Sequence, residues 1–273
     1  MIRLALLILM IAAPAMAQDR RPSHCIALAD AAPGLDFVHK ASFRDPLPDY
    51  TVRIRYVGHA SFLLQAGDLS AVTDFTGFIG NVDFIPDIVT MNHAHSTHWT
   101  ANPDPAIPHV LPGWGEEFGQ GIDHHVDLGD MLVRNFFCPT DIRAGGGVET
   151  KGNSIFVFEA EGLCIAHLGH LHHEPSDDQY AALGRMDVVM APVDGGYTMS
   201  VDAMMSVLRR MRASVVIPMH WFTDRTLERF LAGMEGEFAI ERPGTSEIEV
   251  SLRTLPDRPT IKVLRPAFLR EEE

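Results

Sequence analysis

The chain has 273 residues, 46% hydrophobic and 21% charged, with no long polar or repetitive tract, so a fibrous or disordered protein is excluded and one large or two small domains fit. With 22 Lys plus Arg against 36 Asp plus Glu, its formal charge of −14 repels a phosphate backbone, and nucleic acid is not an expected partner. The compositional excess is histidine, 14 residues gathered in tight groups.

The first segment runs from Arg3 through an apolar stretch, Leu4 to Ala13, to Ala15-Met16-Ala17 ahead of Gln18-Asp19-Arg20-Arg21. That is the form of a secretory signal cleaved after Ala17, and its apolar part is shorter than the roughly 20 residues needed to cross a bilayer. Residues 1–17 are therefore expected to be absent from a mature protein that is periplasmic or secreted, with no stable membrane anchor. Cys25, Cys138 and Cys164 permit at most one internal disulfide. They lack C-x-x-C spacing, and Cys138 and Cys164, lying in apolar strand-like runs, read as buried and unreactive.

Residues 18–50 are rich in Pro, Asp and Ala without a sustained period, and read as an extended lead-in to a domain spanning 51–273. β-rich runs follow at 51–57, 61–65, 69–74, 88–91, 131–137, 154–159 and 163–166. Beyond residue 175 helix and strand alternate. Ser176-Asp-Asp-Gln179 has the form of a capping box, opening a helix that closes at Gly184. An apolar strand over 187–193 comes next. Ser200 caps a helix whose Met204, Leu208 and Met211 form one apolar stripe, a core pattern rather than a binding surface. Residues 214–219 read as a strand, and Leu227, Phe230, Leu231 and Met234 mark a last amphipathic helix. Two strand-rich blocks with helices added predict two sheets packed face to face, helices outside.

Chemistry concentrates at three strand ends. The apolar run ending at Met91 leads into His93-Ala-His95-Ser-Thr-His98, spaced H-x-H-x-x-H. On an extended segment His93 and His95 project to one side, and a turn brings His98 back beside them. Neutral imidazole is a common ligand of Zn²⁺, and three at this spacing favour metal binding. A second strand ends in His167-Leu-Gly-His170-Leu-His172-His173, and a third in Met219-His220, so three strands deliver imidazole to one rim. His172 and His173 overrun their strand and fit a surface tract, and His124-His125, between acidic residues, reads as a solvated loop. Tyr197, following Asp194-Gly-Gly, either packs or faces the pocket, where it contacts substrate or an oxyanion. Gly145-Gly-Gly147 and Gly195-Gly196 lack phosphate-loop form and read as turns, and no G-x-S-x-G is present for a serine hydrolase.

Tyr56-Val-Gly-His59-Ala-Ser-Phe-Leu, Val72-Thr-Asp74, Asn92-His93-Ala-His95-Ser-Thr-His98-Trp99, Gly152-Asn-Ser-Ile-Phe-Val-Phe-Glu159, Ile165-Ala-His-Leu-Gly169 and Ile217-Pro-Met-His220-Trp221 together resemble the metallo-β-lactamase superfamily. Within it, they are similar to the branch of the L-ascorbate-phosphate lactonases. The resemblance implies an α/β fold, a four-layer αβ/βα sandwich, holding one or two metals at the rim between the sheets. It places His93 and His95 as ligands of a first metal, His98 and His220 as ligands of a second, and Asp74 as the carboxylate that orients a ligand histidine through its other ring nitrogen. His59 either borders the pocket or packs as a polar residue.

Three departures alter that pattern. Thr97 stands where H-x-H-x-D-H has its carboxylate, His170 stands where a bridging aspartate would follow Gly169, and no histidine lies between His125 and His167 to complete the first site. Threonine is a weak neutral ligand, and imidazole does not bridge two cations as a carboxylate does. The expected centre is then histidine-only, His93, His95, His98, His170 and His220 with His167 as a further candidate. It would hold one or two Zn²⁺ or another divalent ion, with an open position for a metal-activated water. The expected function is an exported hydrolase of a small-molecule ester, lactone, amide or phosphoester; the alternative is a non-catalytic member that binds metal or ligand through a degenerate centre.

Overall fold

The computed structural model describes residues 23–27, 42–92, 95–142 and 146–271. Residues 1–17 and His93 lie outside this set. In chain order the elements are α1 (His24–Ala27), β1 (Val52–Gly58), β2 (Ser61–Ala66), β3 (Leu69–Val72), β4 (Gly80–Asn81), β5 (Ile88–Met91), β6 (His109–Pro112), β7 (His125–Asp127), β8 (Met131–Asp141), β9 (Val148–Ala160) and β10 (Leu163–His167). There follow α2 (Asp177–Leu183), β11 (Val188–Pro192), α3 (Val201–Met211), β12 (Val215–Met219), α4 (Asp224–Met234), β13 (Ala239–Glu241), β14 (Glu247–Val250), β15 (Thr260–Lys262) and β16 (Leu269–Arg270).

These strands form a six-stranded sheet, β14-β1-β2-β3-β5-β6, and an eight-stranded sheet, β13-β15-β12-β11-β10-β9-β8-β7, with β16 and β4 paired apart. The period-2 geometry of a strand sorts side chains between layers. In β9 to β12, Phe156, Phe158, Ile165, Val188, Met190, Val215 and Ile217 meet Ile54, Phe62, Leu64 and Ile88 of the other sheet to form the central core. Their neighbours Val157, Ala166, Val189, Ala191 and Val216 face outward under Leu183, Met204, Leu208, Phe230 and Met234 of α2, α3 and α4. Both faces of β10, β11 and β12 are covered, which is why these strands are near-continuous apolar runs. Each large side chain fully buried in this way contributes roughly 1.5–3 kcal/mol.

The αβ/βα sandwich is present with one departure. Among the described residues the outer face of the six-stranded sheet is covered by loops rather than helices, with Phe43, Phe75, Ile79 and Ile107 packed on Leu63, Val72, Val89 and Met91. Phe43 belongs to the lead-in; its segment is fastened by Arg53 Nη1, which donates to the carbonyls of Ser42 at 2.8 Å and Asp45 at 3.0 Å. No described helix is long and apolar enough to cross a membrane.

The reading of Cys164 as an unreactive core thiol is corrected. Cys25 and Cys164 form a disulfide with Cα atoms 5.8 Å apart, and Cys138 is the free, buried cysteine. Cys164 faces the helical layer, where α1 reaches it. The same N-terminal segment is fixed at Glu159, whose carboxylate accepts from Ser23 Oγ at 2.5 Å, the His24 amide at 3.1 Å and Arg134 Nε at 2.7 Å. Burial alone would raise the Glu159 carboxyl, but the hydrogen bonds from Ser23 and Arg134 hold it below its usual range.

Candidate metal centre

The ends of β5, β10 and β12, each paired in parallel with a neighbouring strand, bring His98, His170 and His220 together at one rim. β5 ends at Met91 and the chain turns back, with the Asn92 amide donating to the His98 carbonyl at 3.2 Å and the His98 amide to the His95 carbonyl at 2.9 Å. β12 delivers His220, and β10 leads through Gly169 to His170. Gly169 has φ +60°, and a Cβ there would fall 2.5 Å from Asn153 Oδ1 and 2.6 Å from Asn92 Nδ2, so the turn that carries His170 inward requires glycine.

His59 joins this group from the β1–β2 hairpin. It sits in the turn with φ +52°, a conformation that costs energy for a residue with a Cβ. Its carbonyl is held by Tyr56 Oη at 2.7 Å and by the His220 amide at 2.9 Å. His220 itself has φ +56° and Asp74 φ +42°, so three left-handed non-glycine residues surround one spot. Such strain marks a place where side-chain direction is fixed at the expense of backbone energy.

One ligand atom from each of His59, His95, His98 and His220 can be chosen so that all four lie within 4.8 Å of one another. The two innermost rings are oriented from behind. His98 Nδ1 lies 2.5 Å from Asp74 Oδ2, and Asp74 Oδ1 accepts from Asn92 Nδ2 at 2.8 Å. His220 Nδ1 donates to Asp194 Oδ2 at 2.9 Å. Asp194 is in turn held by the Thr198 hydroxyl at 2.7 Å and the amides of Gly196 at 2.9 Å and Thr198 at 3.0 Å, with a further bond from the Tyr197 amide. With their Nδ1 atoms committed, His98 and His220 turn their Nε2 atoms on each other at 3.2 Å.

His95 and His170 make a second such approach, Nε2 to Nε2 at 3.2 Å. Thr97 Oγ1 bridges His95 Nδ1 at 2.7 Å and His59 Nε2 at 2.8 Å. The neutral residue at the carboxylate position therefore sets the rotation of two rings. Behind His170, His172 Nε2 lies 2.8 Å from His170 Nδ1, His172 Nδ1 accepts from the Asp141 amide at 3.3 Å, and Asp141 Oδ1 accepts from His173 Nε2 at 2.8 Å. His172 is thus built into the rim, not part of a surface tract.

The electrostatics match a site that repels protons. Burial, reinforced by the neighbouring imidazoles, lowers His59 to about 3 and depresses His98 and His170 well below the ordinary histidine range. Burial raises Asp194 as well, yet the His220 and Thr198 hydrogen bonds outweigh it and keep the carboxyl well below its usual value. Asp74 is raised by burial, with His167 and Asn92 opposing. The Nε2 atoms of His98 and His220, 3.2 Å apart on rings whose Nδ1 atoms face carboxylates, have the separation of two ligands on one tetrahedral cation bound at about 2.0–2.1 Å. The donor set fits one divalent cation held by neutral imidazoles, with carboxylates behind two of them fixing the Nδ1–H tautomer. It fits a carboxylate-bridged pair of ions poorly, because neither Thr97 nor His170 carries the charge that such a bridge needs.

His167, a candidate ligand from the sequence, is placed elsewhere. It is fully buried, with Nε2 donating to the Ala60 carbonyl at 2.7 Å and Nδ1 accepting from the Gly169 amide at 3.2 Å, so both nitrogens serve the backbone. His124 and His125 are half-buried rather than solvated: His124 Nε2 donates to the Pro112 carbonyl at 2.7 Å and His125 opens β7. Tyr197 lies at the rim, its ring 5.1 Å from that of Phe222. Asp194, Asn92 and Phe222 were not singled out from the sequence. Asp194 had a visible signal, an acid directly after the apolar strand read over 187–193.

A family model for the β-lactamase superfamily domain matches residues 53–220. A UPF0173 metal-dependent hydrolase of Methanoculleus marisnigri is 27% identical over 213 residues, covering 74% of this chain and 93% of that protein. Another from Methanospirillum hungatei is 26% identical, covering 63% and 84%. Among solved structures, a candidate Zn-dependent hydrolase of the metallo-β-lactamase superfamily from Thermotoga maritima superposes with a TM-score of 0.55 at 25% identity, over 78% of this chain and 98% of that one. A metallo hydrolase from Ignicoccus hospitalis gives 0.51 at 16% identity, over 74% and 99%, a likeness of fold. With the family model spanning more than half of its length, the chain belongs to the metallo-β-lactamase superfamily.

Proposed function

We propose that this chain is an exported metal-dependent hydrolase whose centre is a single divalent cation, zinc by the chemistry of its donors, held by His95, His98 and His220 with a position left open for water; His59, from the β1–β2 hairpin, and His93, two residues before His95 in sequence, are further candidate ligands. His170 borders that centre. The observation that carries the reading is the pair of Nε2 atoms of His98 and His220 at 3.2 Å, each on a ring whose other nitrogen is committed to a buried carboxylate. Metal-dependent hydrolysis is also the activity in the names of the curated relatives.

When bound, such a cation supplies Lewis acidity toward a carbonyl or phosphoryl oxygen and lowers the pKa of a water to about 7. The protein's own part is orientation. Asp74 and Asp194 hold two imidazoles in one tautomer, and Thr97 fixes His59 and His95. The all-imidazole set leaves the cation's charge undiminished, which offsets the loss of the carboxylates from the family pattern. Hydrolysis bonds the oxygen of water to the acyl carbon or phosphorus and breaks its bond to the leaving oxygen or nitrogen. One proton of the water goes to the leaving group.

Export is supported by the signal-like residues 1–17 and by the Cys25–Cys164 disulfide, a bond that persists in oxidising compartments. The test is metal analysis of the mature protein with a hydrolysis screen over esters, lactones, amides and phosphoesters, before and after chelation. Activity lost with the metal and restored with it supports the reading. Bound metal without turnover on any class supports a binding role instead. Mass spectrometry of protein from its native host should find Gln18 as the first residue.

A further inference from the structure

We infer that Tyr197 and Phe222 form a recognition wall for a flat apolar group on an uncharged carbonyl substrate, an aryl ester, lactone or amide. The inference rests on the proposed metal centre and adds the substrate's chemistry to it. Phe222 is 55% exposed and Tyr197 49% exposed, and the two rings meet edge to face with centroids 5.1 Å apart. Phe222 lies 5.2 Å from the His220 ring and 5.7 Å from that of His59, so the pair adjoins the centre.

The backbone that carries both rings is tied to the residues that position His220 and His59. The Tyr197 amide donates to Asp194, the carboxylate that orients His220. Phe222 follows Trp221, whose ring packs 5.5 Å from Tyr56, the residue that holds the His59 carbonyl. Large exposed aromatic rings beside a reactive centre favour binding of a flat apolar group that covers them. The charge argues the same way about the rest of the substrate. A net charge of −14, with exposed Asp141 on the rim, disfavours a dianionic phosphoester.

The probes are phenylacetate, acetate and inorganic phosphate, titrated calorimetrically into the zinc-loaded protein whose metal content is measured on the same sample. Phenylacetate and acetate present the same carboxylate to the metal, so their affinity ratio isolates the ring. The expected ratio is about tenfold in favour of phenylacetate, the order of one good aromatic contact. Phe222→Ala and Tyr197→Ala should each reduce it, the double variant should bring it near one, and Tyr197→Phe and Phe222→Tyr, which keep the rings, should preserve it. Phosphate should bind more weakly than phenylacetate. A metal-loaded protein with a ratio below about two, or a ratio unmoved by the double variant, overturns the inference and leaves the metal centre standing. A sample that takes up no zinc overturns the centre, and the inference with it.

Discussion

Replacing Asp194 by asparagine isolates the orientation of His220 from its ligand chemistry. The variant keeps side-chain shape and can still accept bonds from the Gly196 and Thr198 amides, but it removes the charge that faces His220 Nδ1 at 2.9 Å. A hydrogen bond to a charged group is worth about 1.5–3 kcal/mol. Loss of a carboxylate behind a metal-binding histidine typically costs 10–100-fold in metal affinity, about 1.4–2.8 kcal/mol, and the two estimates agree. Zinc affinity measured by competition with a chromophoric chelator should fall within that range for Asp194→Asn. It should fall less for Thr198→Val, which removes one hydroxyl bond of 2.7 Å and leaves the carboxylate. Unchanged affinity in Asp194→Asn, with the variant folded, would refute the claim that His220 binds through Nε2 under the control of Asp194.

Gly169→Ala forces a Cβ to within 2.5 Å of Asn153 Oδ1 at φ +60° and should destabilise the fold by about 1–3 kcal/mol or more in urea denaturation. Cys25→Ser removes a crosslink spanning 139 residues, for which chain entropy gives about 5 kcal/mol and experience about 2–5; the melting temperature of the wild type should fall correspondingly under reductant, while that of the variant should not respond. Metal-free protein should lose stability on acidification. His59, His98 and His170 are depressed in the fold, so the unfolded chain binds protons first; their contribution is full above about 6.5 and is lost as pH falls toward 3. Asp74, raised by burial, offsets part of this, and urea midpoints at pH 7.5 and 5 give the sign.

Much of this was legible because the relevant physics is local. The capping box at Ser176 and Gln179, the helix from Val201 and the apolar strands β10 to β12 all lie where pattern places them. Three apolar strands ending in histidine are visible in the sequence, and His95, His98, His170 and His220 meet at one rim. What was hidden depends on distance along the chain. Cys164 reads as core because its partner lies 139 residues away in a segment without period. β13, β14 and β15 are three or four residues long and take their pairing from neighbours, so no window reveals them. His59 reads equally well as rim or packing, since its direction is set by a left-handed turn and by the His220 amide rather than by spacing. His167 misleads for the same reason: it belongs to a histidine-rich strand end, and only the fold shows its two nitrogens occupied by Ala60 and Gly169.

The most direct measurement of the central claim is the zinc content of the mature protein at saturation, taken beside His98→Ala and His220→Ala. One equivalent per chain, falling sharply in both variants while their secondary structure persists, is the predicted result. Two equivalents would contradict a single histidine-held cation, and no retained metal, or metal retained equally by both variants, would contradict the site.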